Sequence, residues 1–378
     1  MLKIINVVQD FNMGGIQRVL ISLLRAFKND PDVDYSVAVL ENAKGSEFDN
    51  IVKEERLNVV YLGCKMPKCG YPHIKKILRD LSYDGRLLLY LLKQKPDIVH
   101  THNTRMLTLV LKCIKWTRKK YVWAHTLHSD PYAVHEGHIP RIQKAVNQYG
   151  VHAICLNETQ FEKAKERYGI DKCRYIYNMV ELDKYHNTRV TRNKCRENLG
   201  IPEDAYVIGT VGRLDAVKNY KFLLKSFCAA SVMNEKAVLV FTGDGDEAAD
   251  LKKYADDMNI SDKVFFLGAR KNTEEIYPAF DVFALTSISE SSSLVVLEAQ
   301  ATGLTCVVSS ACPKESVISD NVVIMDKSAS DEEWAKQLLN PTNFSERYAF
   351  ESDYGEENVK RELKRLYFDL ASLKGKNE

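Results

Sequence analysis

The chain has 378 residues, 45% of them hydrophobic, which is more than one hydrophobic core usually serves, so two domains are expected. With 53 basic and 51 acidic side chains the formal net charge is +2, a balance that argues against a nucleic-acid partner. No apolar run reaches the roughly 18 residues that a spanning helix needs.

In chain order, short β-branched runs alternate with amphipathic stretches. Strands are expected at Ile4–Val8, Tyr35–Leu40, Asn58–Leu62, Asp97–His100, Tyr121–His125 and Ala153–Leu156. Helical spacing of apolar residues marks Ile16–Phe27, Lys75–Lys93 and Met106–Trp116. From Asn178 to Leu199 the chain is polar with little apolar periodicity, which reads as a seam. The pattern then resumes with strands at Val207–Val211, Ala237–Thr242, Val264–Leu267, Val282–Leu285, Thr305–Ser309 and Val322–Met325. A last helical pattern, Glu357–Leu373, follows the second domain. Strand–helix alternation in both halves is the mark of an α/β fold with parallel sheets. The expected division is residues 1–180, residues 181–355, and a terminal segment 356–378 that packs back on the first domain.

Ligands of such sheets bind at the carboxyl ends of the strands, so the loops there hold the candidate residues. The first is Phe11-Asn12-Met13-Gly14-Gly15-Ile16. Its glycines would let the backbone approach a phosphate beside a helix start, and a plain tight turn is the alternative. The loop is not Gly-x-Gly-x-x-Gly, so the dinucleotide fingerprint is absent. A second loop, Gly212-Arg213-Leu214-Asp215-Ala216-Val217-Lys218-Asn219, brings two cations to one strand end. Fixed cations stabilise a diphosphate leaving group as its charge develops; a solvated surface pair is the alternative. A third segment, Ser287 to Ala299, places Glu290 before a helix that starts near Ser293 and Glu298 inside it. Backbone N–H groups at that start suit an anion, and a carboxylate within the helix suits a ribose diol. A capped helix with two solvated acids is the bland reading.

Together these residues resemble the retaining family-four glycosyltransferases of the GT-B fold, above all bacterial members that make capsules and exopolysaccharides. The Glu290-x7-Glu298 spacing carries the likeness, with Glu298-Ala299-Gln300-Ala301-Thr302-Gly303 after it. Asp97-Ile98-Val99-His100-Thr101-His102, Gly14-Gly15, Arg213 to Lys218 and Phe241-Thr242-Gly243-Asp244-Gly245 extend it over nearly the whole chain. The resemblance implies two Rossmann-like domains whose sheets face a cleft. It implies a hexosyltransferase moving sugar from a nucleoside diphosphate, more readily UDP than GDP, to a glycan or lipid-linked acceptor. Retention would need no protein nucleophile.

The resemblance further implies that Arg213 and Lys218 hold the diphosphate, Glu290 the sugar hydroxyls and Glu298 the ribose. Backbone N–H groups of Leu294 and Val295, beside Ser293, would complete the cradle. Gly14 and Gly15 would approach from the first domain, with Gly243 at the strand end and Arg270 near the base. The family histidine falls on His128, whose Thr126-Leu127-His128 context fits best, or on His125. No metal and no other cofactor is expected. Three departures stand out: Ser291, Ser292 and Ser293 where the family commonly has a glycine, Asn178-Met179 in place of an Asn-Gly turn, and the two candidate histidines. A GT-B sugar-nucleotide epimerase and a catalytically inactive nucleotide-binding scaffold would share most of these features.

Other clusters read as bystanders. Asp244-Gly245-Asp246 resembles the metal site of another glycosyltransferase fold, yet follows a strand and reads as a polar turn. His135-Glu136-Gly137-His138 has the wrong spacing for a helical zinc site and reads as a loop over the cleft. His100 or His102 would face the acceptor or serve the structure. Lys112, Lys115, Trp116, Arg118, Lys119 and Lys120 form a solvated helix end or a contact with anionic lipid. Met1 to Val8 shows no cleavage signal, so the protein is expected in the cytoplasm or on the inner face of the plasma membrane. The nine scattered cysteines read as reduced thiols.

Overall fold

The computed structural model describes residues 1–11, 14–63, 72–102, 106–107, 109, 111–113, 121–170, 173–186, 190–340 and 353–373, with the backbone alone over 72–81. Two compact units result, Met1–Met179 with Glu356–Glu378, and Val180–Gly355.

The first unit is built on seven strands: β1 (Leu2–Val8), β2 (Val33–Val39), β3 (Val59–Tyr61), β4 (Ile98–Thr101), β5 (Val122–Thr126), β6 (His152–Cys155) and β7 (Cys173–Tyr175). They lie in the order β3-β2-β1-β4-β5-β6-β7, and every pair is parallel. The central strands are buried on both faces, which explains their continuous apolar runs: Ile4, Ile5, Val7, Val37, Val99 and Ala124 are all sealed from solvent. Polar exceptions sit among them. Asn6, His100, Thr101, His102 and His125 are each 3% exposed or less, and each needs an internal partner. The Glu356–Ala371 helix packs against the Gly15–Ala26 helix and β4. Tyr367 on its buried face reaches His100 Nδ1 at 2.8 Å, and Lys364 bonds Asp30 and Asp32 at 2.9 and 2.7 Å.

The second unit has six strands: β8 (Tyr206–Val211), β9 (Ala237–Thr242), β10 (Val264–Phe266), β11 (Val282–Leu285), β12 (Thr305–Ser309) and β13 (Val322–Met325). Their order is β10-β9-β8-β11-β12-β13, again parallel throughout. The stretch read as a polar seam contains two short helices, Leu182–His186 and Arg192–Leu199. Arg196 on the second is 1% exposed, and its guanidinium bonds the carbonyls of Ala279, Glu203 and Ala205 and, at 2.8 Å, the Asp281 carboxylate. The polar seam is thus a packed part of the second unit.

Twelve of the strands follow the expected runs. The missing one was β7, where Cys-Arg-Tyr offers no apolar run and two of the three residues are exposed.

Candidate active site

Both sheets reverse their strand order once, between β1 and β4 in the first unit and between β8 and β11 in the second. The loops beyond these strands diverge there and leave a crevice, the common ligand position of open α/β sheets. Most of the sequence candidates fall on those loops.

In the second unit, β8 is followed by Gly212, and β9 beside it by Gly243. Gly243 has φ of +145°, and a Cβ there would lie 1.8 Å from the Gly212 carbonyl oxygen. Only glycine permits that approach, which sets the path of the chain into Arg213. Arg213 is largely exposed, with its guanidinium held by Asp215 Oδ2 at 2.7 Å from Nε and 2.6 Å from Nη2. Asp215 also accepts from the Lys218 backbone N–H, closing a short turn.

Lys218 points inward. Its Nζ lies 2.6 Å from Glu290 Oε1, and Ser287 donates to the same oxygen at 2.6 Å. Both side chains of the pair are mostly buried. Burial alone would lower the lysine pKa; the Glu290 carboxylate, with Tyr220 and Asp215 nearby, outweighs it and holds the value above normal. The two loops are sewn together around the pair. Thr286 donates to the Lys218 carbonyl, the Ile288 N–H donates to the Val217 carbonyl, and Ser309 donates to the Ser287 carbonyl.

The following helix runs from Leu294 to Ala301. Ser293 precedes it and is buried, its N–H donating to Ser316 Oγ at 3.2 Å. The Leu294 N–H donates to the Ser292 carbonyl within the turn, while Val295 occupies the first turn of the helix. Glu298 is 2% exposed and accepts from the Tyr277 hydroxyl at 2.8 Å. Arg270 is exposed beyond β10 and donates to the Leu267 carbonyl. Asp244 and Asp246 follow β9, where the Asp244 carboxylate accepts from the Gly245 N–H.

In the first unit, Gly14 caps the Gly15–Ala26 helix with extended backbone, and a Cβ on Gly15 would meet nothing within 4 Å. Beside that loop the ends of β4 and β5 carry four histidines. His102 Nε2 meets Asn6 Oδ1 at 2.8 Å and His102 Nδ1 meets His128 Nε2 at 3.1 Å. His125 Nδ1 lies 2.8 Å from Thr101 Oγ1, and His100 Nε2 lies 2.7 Å from Thr126 Oγ1. Burial pushes His125 down to about 3 and His128 to about 4. His100 and His102 fall well below normal by burial, with neighbouring imidazoles adding to it. The cluster is therefore neutral at ordinary pH. His125 is sealed within the sheet, whereas His128 lies past the end of β5 and is partly exposed.

The His135–His138 segment forms a short 3-10 turn in which His135 Nδ1 accepts from the Gly137 N–H. Of the basic cluster, Lys112 pairs with Asp84 at 2.5 Å, and Lys115, Trp116, Arg118, Lys119 and Lys120 lie outside the described residues. Cys64 and Cys69 do too, and the other seven cysteines are free thiols. Among the described residues no helix is long and apolar enough to cross a membrane.

Several site residues had not been singled out in the sequence. Ser287, Tyr277, Asn6 and Thr101 act through hydrogen bonds to residues 3 to 96 positions away. Ser287 and Thr101 lay within the motifs without a role of their own, Asn6 was marked only by being a polar residue inside an apolar strand, and Tyr277 carried no signal.

Residues 13–184 match the family described as Glycosyltransferase Family 4, and residues 191–344 match Glycosyl transferases group 1. A UDP-Gal:alpha-D-GlcNAc-diphosphoundecaprenol alpha-1,3-galactosyltransferase of Escherichia coli is 27% identical over 308 residues, covering 79% of this chain and 76% of that one. HepE of Anabaena, solved in complex with UDP and glucose, matches with a TM-score of 0.73 at 16% identity, over 100% of this chain and 98% of that one. TarM of S. aureus, in a mutant form solved with UDP, matches with a TM-score of 0.74 at 13% identity, over 98% of this chain and 100% of that one. With its first half in the one family and its second half in the other, the chain belongs to the glycosyltransferases of the GT-B fold.

Proposed function

We propose that the protein transfers a hexose from a UDP-sugar to a glycan or lipid-linked acceptor, with retention of configuration, in the assembly of surface polysaccharide. The observation that carries this reading is the Lys218–Glu290 pair at the crevice of the second sheet, with the exposed Arg213 on the same loop. Lys218 stays charged although buried, and it stands where β8 and β11 diverge. A diphosphate there would meet an ammonium, a guanidinium and the start of the Leu294–Ala301 helix. Glu290, adjoining Lys218, would bind hydroxyls of the sugar, and Glu298 within the helix would bind the ribose. Gly15 leaves open backbone in the first unit, beside Gly14, where a Cβ would meet the Gln17 side chain, and the partly exposed His128 is the histidine of choice over the sealed His125.

The E. coli relative, by its name, uses UDP-Gal and a diphosphoundecaprenol-linked acceptor, which supports the donor base and the acceptor class. For retention, the acceptor hydroxyl approaches the anomeric carbon from the face that the diphosphate leaves, and a phosphate oxygen takes its proton. Arg213 and Lys218 then offset the developing charge without a protein nucleophile.

The test is mass spectrometry of products from a panel of UDP- and GDP-sugars, each offered with and without lipid-linked glycan acceptors. Sugar added to the acceptor supports the reading, and NMR of the new linkage reports its configuration. Conversion of donor in the absence of acceptor would point to an epimerase instead. A nucleotide that raises the melting temperature without any turnover would point to a scaffold. Within the reading, Glu290→Ala should cut turnover strongly while leaving UDP binding near normal, and Glu298→Ala should weaken UDP itself. Equal loss of UDP affinity in both variants would reject that division.

A further inference from the structure

The polar chain buried in the first unit has a direction that its chemistry fixes. It begins at the Ser36 backbone carbonyl, which only accepts hydrogen bonds. Asn6 Nδ2 lies 3.1 Å from that oxygen, so the amide nitrogen must face it. Asn6 Oδ1 then faces His102 Nε2 at 2.8 Å. An amide oxygen also only accepts, so His102 Nε2 must carry a hydrogen. His102 is 3% exposed, and burial beside His100, His128 and His125 keeps it neutral. A neutral imidazole has one N–H, so His102 Nδ1 is a bare lone pair. It faces His128 Nε2 at 3.1 Å, and His128 must donate there.

The structure assigns Asn6 and His102 as positioning residues that lock the His128 imidazole in its Nε2–H tautomer and leave Nδ1 as the ring's acceptor. Every link is set by the carbonyl at the far end. Asn6 and His102 are 96 residues apart and both are buried, so the chain is held by β1 and the end of β4 rather than by solvent. The second histidine of the pair, His125, has no such relay: its Nδ1 lies 2.8 Å from Thr101 Oγ1, a hydroxyl that can either donate or accept and that also lies 3.2 Å from the Ala124 carbonyl. A group that donates a hydrogen bond, such as a sugar hydroxyl, is accepted by His128 Nδ1, whereas an acceptor group is refused. The tautomer follows from the hydrogen-bond partners together with the neutrality that burial imposes on both rings. Its catalytic consequence rests on the reading above that His128 faces the reaction.

The experiment uses the full chain labelled with 15N in histidine, with the His128 signals identified by their loss in His128→Gln. In the parent protein, long-range 1H–15N spectra should show His128 Nε2 as the protonated nitrogen and Nδ1 as the bare one. A protonated Nδ1, or an even mixture of tautomers, would overturn the proposal. His102→Leu removes the acceptor and should convert His128 to a mixture, whereas His102→Asn, whose Oδ1 replaces the bare nitrogen, should keep the Nε2–H form. Turnover should fall about tenfold in His102→Leu with the donor KM little changed, and stay within about threefold of the parent in His102→Asn. Unchanged turnover in His102→Leu despite a lost tautomer would overturn the positioning role. Failure of the parent to transfer sugar would instead strike the reading above and leave the tautomer result intact.

Discussion

The two units share a parallel sheet with one reversal of strand order, yet they fill the crevice at that reversal with opposite chemistry. The second unit uses formal charge: Lys218 against Glu290, Arg213 against Asp215, and deeper in the fold Arg196 against Asp281. The first unit uses neutral rings: four histidines, all with pKa values below normal, linked to Asn6, Thr101, Thr126 and Tyr367. The scaffold does not dictate this difference, since both sheets deliver their loops to equivalent places. On the proposed reading, charge stabilisation and hydrogen-bond direction are separate tasks, given to separate domains. A charge placed among the imidazoles would shift all four, and on the same reading a neutral ring in place of Lys218 would leave a diphosphate only the exposed Arg213 as counter-charge.

The largest effect expected concerns the charge buried deepest. Arg196→Met removes a guanidinium that bonds three carbonyls and Asp281, leaving that carboxylate to Arg192 and the Val207 N–H. Breaking such a pair from one side commonly costs about 3–5 kcal/mol. Urea denaturation should show that loss in the transition of the second unit, and a change below about 1 kcal/mol would show that the buried charge is dispensable.

Lys218→Met comes next. It should lower turnover by about a hundredfold or more, on the scale of 3 kcal/mol for one preorganised group. Arg213→Ala should fall in the same range, and Arg213→Lys should recover only part, because the planar fork is lost. Steady-state kinetics would show the loss mainly in kcat. A loss confined to KM would mean that these cations bind the ground state only, and the division of labour between the units would weaken.

How far the sequence revealed these features depended on the distance over which each is built. Apolar runs announced twelve strands, because a doubly covered parallel strand must be apolar in consecutive residues. Strand β7 was silent, since it lies at the sheet edge with an exposed Arg174 and Tyr175. The stretch around Arg196 looked like a linker because a fully bonded guanidinium is indistinguishable in sequence from a solvated one. The likeness around Glu290 and Glu298 pointed to the second crevice, yet the pairing of Lys218 with Glu290 joins residues 72 apart and no local pattern encodes it. The same holds for Asn6 and His102.

Acid should distinguish the units by a smaller amount. The depressed histidine pKa values mean that the unfolded chain binds more protons than the folded one below pH 6.5. Stability is therefore fully present above about 6.5 and is lost as the pH falls toward about 4 for His128 and about 3 for His125. Each ring that stays neutral contributes a slope of about 1.4 kcal/mol per pH unit. The rings held below normal, His100, His102, His125, His128 and His152, all belong to the first unit, so the first should melt earlier as pH drops from 6.5 to 5. His125→Asn, which keeps a group facing Thr101 without a titrating ring, should flatten the slope by one ring's share. Equal acid sensitivity of both melting transitions would remove the contrast.

The smallest effect expected is none, under chelation. The diphosphate gains charge as the bond to the sugar breaks, and something must offset it. Metal-dependent transferases hold a divalent cation with carboxylates beside the phosphates. Here the carboxylates nearest in kind, Asp244 and Asp246, leave the end of β9, while Arg213 and Lys218 follow β8 and the Leu294–Ala301 helix follows β11. Glu290 is engaged by Lys218 and Ser287, and Glu298 by Tyr277, so both carboxylates of the spaced pair already have donors. A cation entering there would meet the Lys218 ammonium 2.6 Å from Glu290 Oε1 and be repelled by it. Turnover measured after exhaustive EDTA treatment should equal that of the untreated enzyme. Abolished turnover that manganese or magnesium restores would mean that the second unit borrows its charge from a metal, and that Arg213 and Lys218 only assist.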